Sequence, residues 1–325
     1  MRKSDQARIR EGVRMSENGT QTNRKLPGNR WLFALALLAV FVAVGVGVFR
    51  PVWREQDAIE ALERINVTVK TRNVFKAYDP DTDWENEYFK ASLTNRVFKV
   101  IGSGPRFGDE HVPLILKMPY VEWLYLANTN IGNRGIEQLC RLSHLKDLSI
   151  AANAIDDDAV RSINSLSRLE ILNLSETLIS DQGFANLNNL PRLNSVYVSY
   201  TSIGDDGIKG LAGNSGILVL YADNTLVTDA GIRHIAKLLP NIQFLQLNNT
   251  KISNAAIKEL SALSGLRGLS IDGTTIDDNA VQYLEKMPRL KSLSISGTSI
   301  TDEGYTRLID SLPESTRVER IVPQN

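Results

Sequence analysis

Apolar residues return along this chain with a period of 24. The second apolar residue of each L-x-L trio falls at Leu124, Leu148, Leu172, Val196, Leu220, Leu245, Leu269 and Leu293, and every step is 24 except one of 25. The longer step holds Leu239, one residue more in the turn Lys237-Leu238-Leu239-Pro240. Within a unit, Leu145, Leu148 and Ile150 follow the alternation of a short strand, whereas Val160, Ile163 and Leu166 are spaced by three, as along one side of a helix. Each unit therefore predicts a strand, a turn and a helix. Successive strands should lie parallel, joined by right-handed crossovers. A unit this small cannot bury its apolar side alone, so units must stack. The predicted fold is an α/β solenoid with a parallel sheet on its concave side and helices on its convex side.

The turn after each strand carries a recurrent polar residue: Thr129, Asn153, Thr177, Thr201, Thr225, Thr250, Thr274 and Thr298. A side chain of this kind, pointing into the bend, can satisfy backbone groups there. An apolar residue and a polar pair follow, as in Ile179-Ser180-Asp181, Val227-Thr228-Asp229 and Ile300-Thr301-Asp302. These pairs read as helix N-caps and first-turn residues. The whole pattern, L-x-x-L-x-L-x-x-T-x-I-x-D-x-G-[IL]-x-x-L-x-x-L, resembles bacterial leucine-rich repeat proteins of the planctomycete type, and is similar to the cysteine-containing repeats of eukaryotic F-box proteins. It covers roughly residues 97–322. The resemblance implies the solenoid fold and no particular function. Ubiquitin-ligase attachment does not carry over, because an apolar segment stands where an F-box would be needed.

Six segments follow from this pattern. Residues 1–30 are a polar, basic tail expected to be disordered, and 31–49 a membrane helix. Residues 50–96 should form an N-terminal cap, with an amphipathic helix over 54–65 and a small hairpin from Val67-Thr68-Val69 and Val74-Phe75. Subtracting 24 from the first clear unit places Val97, Val100, Phe107, Val112, Ile115 and Met118 on apolar positions and Gly108-Asp109 on capping ones. Residues 97–120 thus read as a degenerate capping repeat. Eight repeats occupy 121–312, and 313–325 form a C-terminal cap strand and tail. Nine strands at roughly 4.8 Å would span about 40 Å, and the charges of Arg317, Glu319 and Arg320 would protect the last edge.

The segment Trp31–Phe49 is nineteen residues without a charge. As a helix it would measure about 28 Å, close to the hydrocarbon thickness of a bilayer. Eight basic residues precede it (Arg2, Lys3, Arg8, Arg10, Arg14, Arg24, Lys25, Arg30) against Asp5, Glu11 and Glu17. This bias places the N-terminus in the cytoplasm and the repeats outside it. The long n-region and long apolar run favour an uncleaved signal anchor. A cleaved signal peptide, with Gly45/Gly47 near its cleavage site, is the competing reading.

Composition narrows the function by exclusion. A formal net charge of +0 gives no basic footprint for nucleic acid. The single cysteine, Cys140, can form no disulfide within the chain. The acidic runs Asp156-Asp157-Asp158, Asp205-Asp206 and Asp277-Asp278 lack the spacing of a calcium loop and read as helix caps. His111, His144 and His234 occupy non-equivalent positions in different units, so no metal site is expected. No catalytic residue and no cofactor is indicated, and Gly102-Ser103-Gly104 reads as a turn. The expected binding surface is the concave strand face, where Trp123, Tyr125, Tyr197, Tyr221 and Phe244 alternate outward and Tyr200 follows its strand. The partner would be a protein or polysaccharide of the cell envelope. The alternative is a spacer that orders the envelope without a specific ligand.

Overall fold

The computed structural model describes residues 50–73 and 95–321, and also Leu35, Leu38, Ala39, Val40 and Val42, all helical. The chain divides into two units, Met1–Arg50 and Pro51–Asn325, and the repeats lie in the second. The expected tail 1–30 and the rest of the expected span 31–49 fall outside the described residues. Among the described residues, no helix is long and apolar enough to cross a membrane.

Eleven strands form one sheet in sequence order: β1 (Thr68–Asn73), β2 (Asn95–Ile101), β3 (Trp123–Tyr125), β4 (Asp147–Ser149), β5 (Ile171–Asn173), β6 (Ser195–Tyr197), β7 (Val219–Tyr221), β8 (Phe244–Gln246), β9 (Gly268–Ser270), β10 (Ser292–Ser294) and β11 (Arg317–Glu319). From β2 onward every pairing is parallel, and the periodic apolar residues are direct partners, as in Leu124↔Leu148 and Leu148↔Leu172. These central residues are buried, and so are the helix positions spaced by three, such as Val160, Ile163 and Leu166. One continuous core results, to which each buried Leu or Ile contributes roughly 1.5–3 kcal/mol. The 25-residue step leaves the sheet in register, since Leu220 still pairs with Leu245. Its extra residue is absorbed on the helical side, where Leu239 is buried just past the helix Asp229–Leu238.

The first rung departs from expectation. Helix α1 spans Arg50–Glu63. Strand β1 does not turn back into a local hairpin; it pairs antiparallel with β2, and Val74-Phe75 lie outside the described residues. The pairing slips between Lys70 and Thr71, which leaves Phe98 unmatched, and the Val97 N–H donates instead to Glu55 Oε1 of α1 at 3.1 Å. Glu55 also pairs with Arg96. Burial raises its carboxyl above the usual value, while the Val97 bond and the Arg96 charge pull it back. Val67 fills the place of a missing repeat side chain: a Cβ at Gly102 would meet Leu126 and Val67 at 3.1 and 3.2 Å.

Every turn after a strand is built alike. The residue before the polar turn position is left-handed at Asn128, Ala152, Glu176, Tyr200, Asn224, Asn249, Gly273 and Gly297, with φ between +52 and +65°. This rotation aims its N–H at a carbonyl of the next rung, as in Asn128 to Ala151 (2.9 Å) and Asn224 to Asn248 (2.8 Å). Each threonine then donates its hydroxyl to the carbonyl three residues back, from Leu126 through Ile295, at 2.6–3.1 Å. Asn153 does more. Its Oδ1 accepts the Thr129 N–H and lies 2.8 Å from the Thr129 hydroxyl, which it shares with the Leu126 carbonyl, and its amide nitrogen lies within hydrogen-bond reach of the carbonyls of Leu126, Ile150 and Ala151.

The acidic residues at the helix starts have a role beyond the capping expected of them. Capping within the same repeat is done by the preceding residue: Asp156, Ser180, Thr228, Ser253, Asp277 and Thr301 each accept a bond from their own first turn. The next residue reaches forward to the following repeat. Asp157 accepts from Ser180, Asp205 from Thr228, Asp229 from Ser253 and Asp278 from Thr301, in each case from both the N–H and the hydroxyl at 2.6–2.8 Å. Asp181 and Asp205 also take the N–H of Gly207 and Gly231. This explains the glycine of the D-x-G signature, because a Cβ at Gly135, Gly183, Gly207, Gly231 or Gly304 would collide with the carboxylate of the previous repeat. In the last repeat Asp302 is met instead by the Arg320 guanidinium, at 2.7 Å, which also bonds the Ile300 carbonyl.

Replacing glycine by alanine inside a helix ordinarily stabilises by roughly 0.5–1 kcal/mol. At Gly231 the sign should reverse. Gly231→Ala is expected to destabilise by roughly 1–3 kcal/mol through overpacking against Asp205, read as a lower urea midpoint. Ala256→Gly, at the equivalent position where alanine is native, should show only the ordinary small loss.

Candidate functional site

The strand face is lined by the residues on either side of each buried central position. At its N-terminal end four side chains converge. The Lys99 ammonium lies 5.0 Å from the Trp123 ring centroid and 4.5 Å from that of Tyr125, within the range of cation–π attraction. The Tyr125 hydroxyl donates to Asp147 Oδ2 at 2.5 Å. Burial, then this bond, pushes the Tyr125 phenol far above its usual value. Burial also raises the Asp147 carboxyl, while Tyr125 and the Lys99 charge act in the opposite sense. Phe98 meets Trp123 edge-on at 5.6 Å, and Arg72 lies over Phe98. Beneath them Glu122 bonds Arg72 and Lys146, which outweigh its burial and hold its carboxyl below the usual value.

The other expected residues fall in separate places. Tyr197 and Tyr221 form an edge-on pair at 4.9 Å on β6 and β7, separated from the Trp123–Tyr125 strand by the Asp147–Ser149 and Ile171–Asn173 strands. Burial, followed by the charges of Tyr221 and Asp147, raises the Tyr197 phenol. Phe244 is 40% exposed and lies over Gly268, where a Cβ would come within 2.7 Å of its ring. Tyr200 is 60% exposed and sits in the left-handed turn, off the strands. The structure thus joins Trp123 to Tyr125 and Tyr197 to Tyr221, and leaves Phe244 and Tyr200 apart from both pairs.

Lys99, Phe98 and Asp147 were not among the expected residues. The repeat offered the signal for two of them: Lys99 and Asp147 stand 24 residues before and after Trp123 and share its column. Neither is aromatic, so neither stands out on the strand face by side-chain type. Phe98 gave no such signal, because its exposure depends on the slipped pairing of β1 with β2.

The later strands present small residues, Gly268, Ser270, Ser292 and Ser294, and a polar ladder links the turns that follow them. Asp223 Oδ1 accepts the Asn248 N–H at 2.8 Å, Asn248 Oδ1 accepts the Asp272 N–H at 2.7 Å, and Asp272 Oδ1 accepts the Ser296 N–H at 2.6 Å. The hydroxyls of Ser270 and Ser294 donate into the same chain. Burial pushes the Cys140 thiol up to about 12, which keeps it protonated and unreactive. Among the described residues no cluster of three or more His, Cys, Asp or Glu side chains is arranged to hold a metal ion. A surface groove of about 560 Å³ lies along the last helix, lined by Glu303, Thr306, Arg307, Asp310 and Ser311, away from the strand face.

An internalin (inlF) of Listeria monocytogenes has the same architecture, with a TM-score of 0.55 and 23% identity over 72% of this chain and 66% of the internalin. This chain is a leucine-rich repeat solenoid. An internalin C2 of the same organism (TM-score 0.46, 26% identity, 58% of this chain and 76% of that one) and a leucine-rich repeat protein of Leptospira interrogans (0.48, 17%, 64% and 56%) are also similar. No protein-family model and no curated protein matches the chain.

The ladder yields a pH test. Burial raises the Asp223 carboxyl, and the Asp272 charge adds to the rise, against the pull of the Asn248 and Ser199 bonds. The folded form therefore holds its proton to a higher pH than the unfolded chain. The stability this confers is complete below the unfolded value near 3.8 and is lost as pH rises through the folded value. Asp223→Asn keeps an acceptor for the Asn248 N–H, as Asn248 itself does one rung on, and escapes that loss. Relative to the variant, the parent protein should lose stability between about pH 3 and pH 7, which urea midpoints at the two ends of the range will measure.

Proposed function

We propose that this leucine-rich repeat protein is a non-catalytic binding module that engages a protein partner through its strand face. The observation that carries this reading is the convergence of Lys99, Trp123, Tyr125 and Asp147 at the N-terminal rungs. Aromatic anchors beside fixed charges are the side chains that dominate binding energy at interfaces. The rings are set on strands, so little freedom is lost when a partner settles on them. The uncharged segment Trp31–Phe49 and its basic N-terminal flank support a membrane tether, with the repeats outside the cytoplasm.

One observation favours the alternative of a spacer without a ligand. Tyr197 and Tyr221 pack on each other, and Phe244 lies over Gly268, as side chains do that merely cover a sheet.

Two measurements separate these readings. Partner proteins recovered with the full chain from envelope extracts should fall at least tenfold on Trp123→Ala, the loss of about 1.4 kcal/mol or more that marks an anchor. A spacer would be indifferent to that change and sensitive only to loss of residues 31–49. Protease added outside intact cells should digest the repeat domain. Digestion confined to residues 1–30 would reverse the proposed orientation.

A further inference from the structure

One row of side chains crosses the first four strands and changes character along the way. Lys70, Lys99, Trp123 and Asp147 are direct partners on β1, β2, β3 and β4. At roughly 4.8 Å per strand the row is about 14 Å long. It starts with two cations, passes over an indole and ends on a carboxylate. Alternation puts Lys70 on this side of the sheet. Val69 and Val100 turn toward the core, so the facing pair Lys70 and Lys99 turns outward. Arg72, two residues on, lies over Phe98 on the same side.

Like charges on directly opposed residues weaken a strand pairing. A lysine on an outer strand has a structural use, since it discourages a foreign strand from adding to the edge, and β1 is the outermost strand of the described sheet. That use accounts for Lys70. It does not account for Lys99, because a second cation facing the first adds nothing to the edge and costs the pairing. Lys99 is also held in place, over the rings of Trp123 and Tyr125 at 5.0 and 4.5 Å.

The carboxylates nearby are already engaged. Glu122 bonds both Arg72 and Lys146. Glu170 stands on the rung beyond Lys146, its N–H bonded to the Lys146 carbonyl, so Lys146 lies between two acids. Asp147 accepts from Tyr125 and faces the Lys99 charge. Lys70 is exposed and has no ion-pair partner among the described residues. The β1 end of the row therefore keeps an excess of positive charge beside an aromatic ring.

We propose that Lys70 and Lys99 receive a carboxylate of the protein partner, whose extended segment crosses the strands with an Asp or Glu at this pair and an apolar side chain two residues away over Trp123. The proposal rests on the reading of the strand face as a binding surface and adds the partner's chemistry and orientation. The interval follows from the spacing. From midway between the lysines to Trp123 is one and a half strand separations, about 7 Å, and side chains on one side of an extended segment recur at about 6.7 Å. Asp147 at the far end of the row repels a second carboxylate, so the acid belongs at the β1 end. The sequence between β1 and β2 is itself acidic, with Asp79, Asp81, Asp83, Glu85 and Glu87, and is the competing occupant.

The test uses the full chain in detergent and a random 12-residue peptide library displayed on phage. Peptides enriched on the parent protein should carry Asp or Glu two residues from Leu, Ile, Phe or Trp, and their binding should weaken as salt rises. Lys70→Glu should weaken it at least tenfold and yet melt no lower than the parent, because an opposite-charge pair replaces a like-charge one. A lower melting temperature would show that Lys70 serves the fold and would overturn the proposal. So would absence of enrichment, enrichment without the acidic-apolar pair, or binding untouched by Lys70→Glu. Trp123→Ala keeps the two readings apart: peptides lost on Trp123→Ala but indifferent to Lys70→Glu would uphold the strand face and sink the carboxylate site. Acidic peptides that survive Trp123→Ala would sink the placement over that ring. Asp79→Asn, Asp81→Asn, Asp83→Asn, Glu85→Gln and Glu87→Gln made together should leave peptide binding unchanged. Enrichment seen only with that variant would give the lysines to the chain's own acidic sequence and overturn an external partner.

Discussion

Many polar groups left over by one turn of this chain are satisfied by its neighbours in the stack. A strand of three residues is too short to settle its own backbone, and a helix of four to ten residues leaves much of its first turn unbonded. The forward bonds from Asp157, Asp205, Asp229 and Asp278 meet that need at the helix starts, and the left-handed turns meet it at the strand ends. Apolar burial supplies most of the energy, but it is non-directional. The carboxylate bonds add direction, since they form only when repeats are in one register.

The same demand shapes both ends. At the start, α1 and β1 cover the first rung, with Glu55 taking the N–H that the irregular pairing frees. At the finish, Arg320 bonds the last forward-reaching carboxylate, Asp302, and lies over Tyr305. Neither end copies a repeat. Each supplies the missing partner by other means, so the two caps share no sequence pattern with each other.

The period itself made the central strands, their parallel order and the buried positions legible, because alternation and spacing by three each have one structural meaning. It also carried the degenerate first rung, where Val97, Val100 and Phe107 are buried as expected. What it could not carry was any partnership between distant residues that break the period. The pairing of β1 with β2 across residues 74–94, the bond from Glu55 to Val97 and the closure by Arg320 belong to this class. The strand-face aromatics were visible one by one, yet whether two of them touch depends on side-chain direction, which joined Tyr197 to Tyr221 and left Phe244 over a glycine. The threonine column was legible as a turn, but its left-handed neighbours are Asn, Ala, Glu, Tyr and Gly, too varied to betray a shared conformation.

The forward carboxylate bonds join residues 23–26 positions apart, close to one repeat length. Growth or shrinkage of the array is therefore quantised. Duplicating or deleting one whole unit regenerates every donor opposite an acceptor, whereas gaining a fraction of a unit strands a carboxylate against an apolar side chain. The irregularity at Leu239 lies on the helical side, where a residue can be taken up without disturbing a strand or a turn. Lineages that lengthen this protein should do so in whole steps, each adding about 5 Å of new surface.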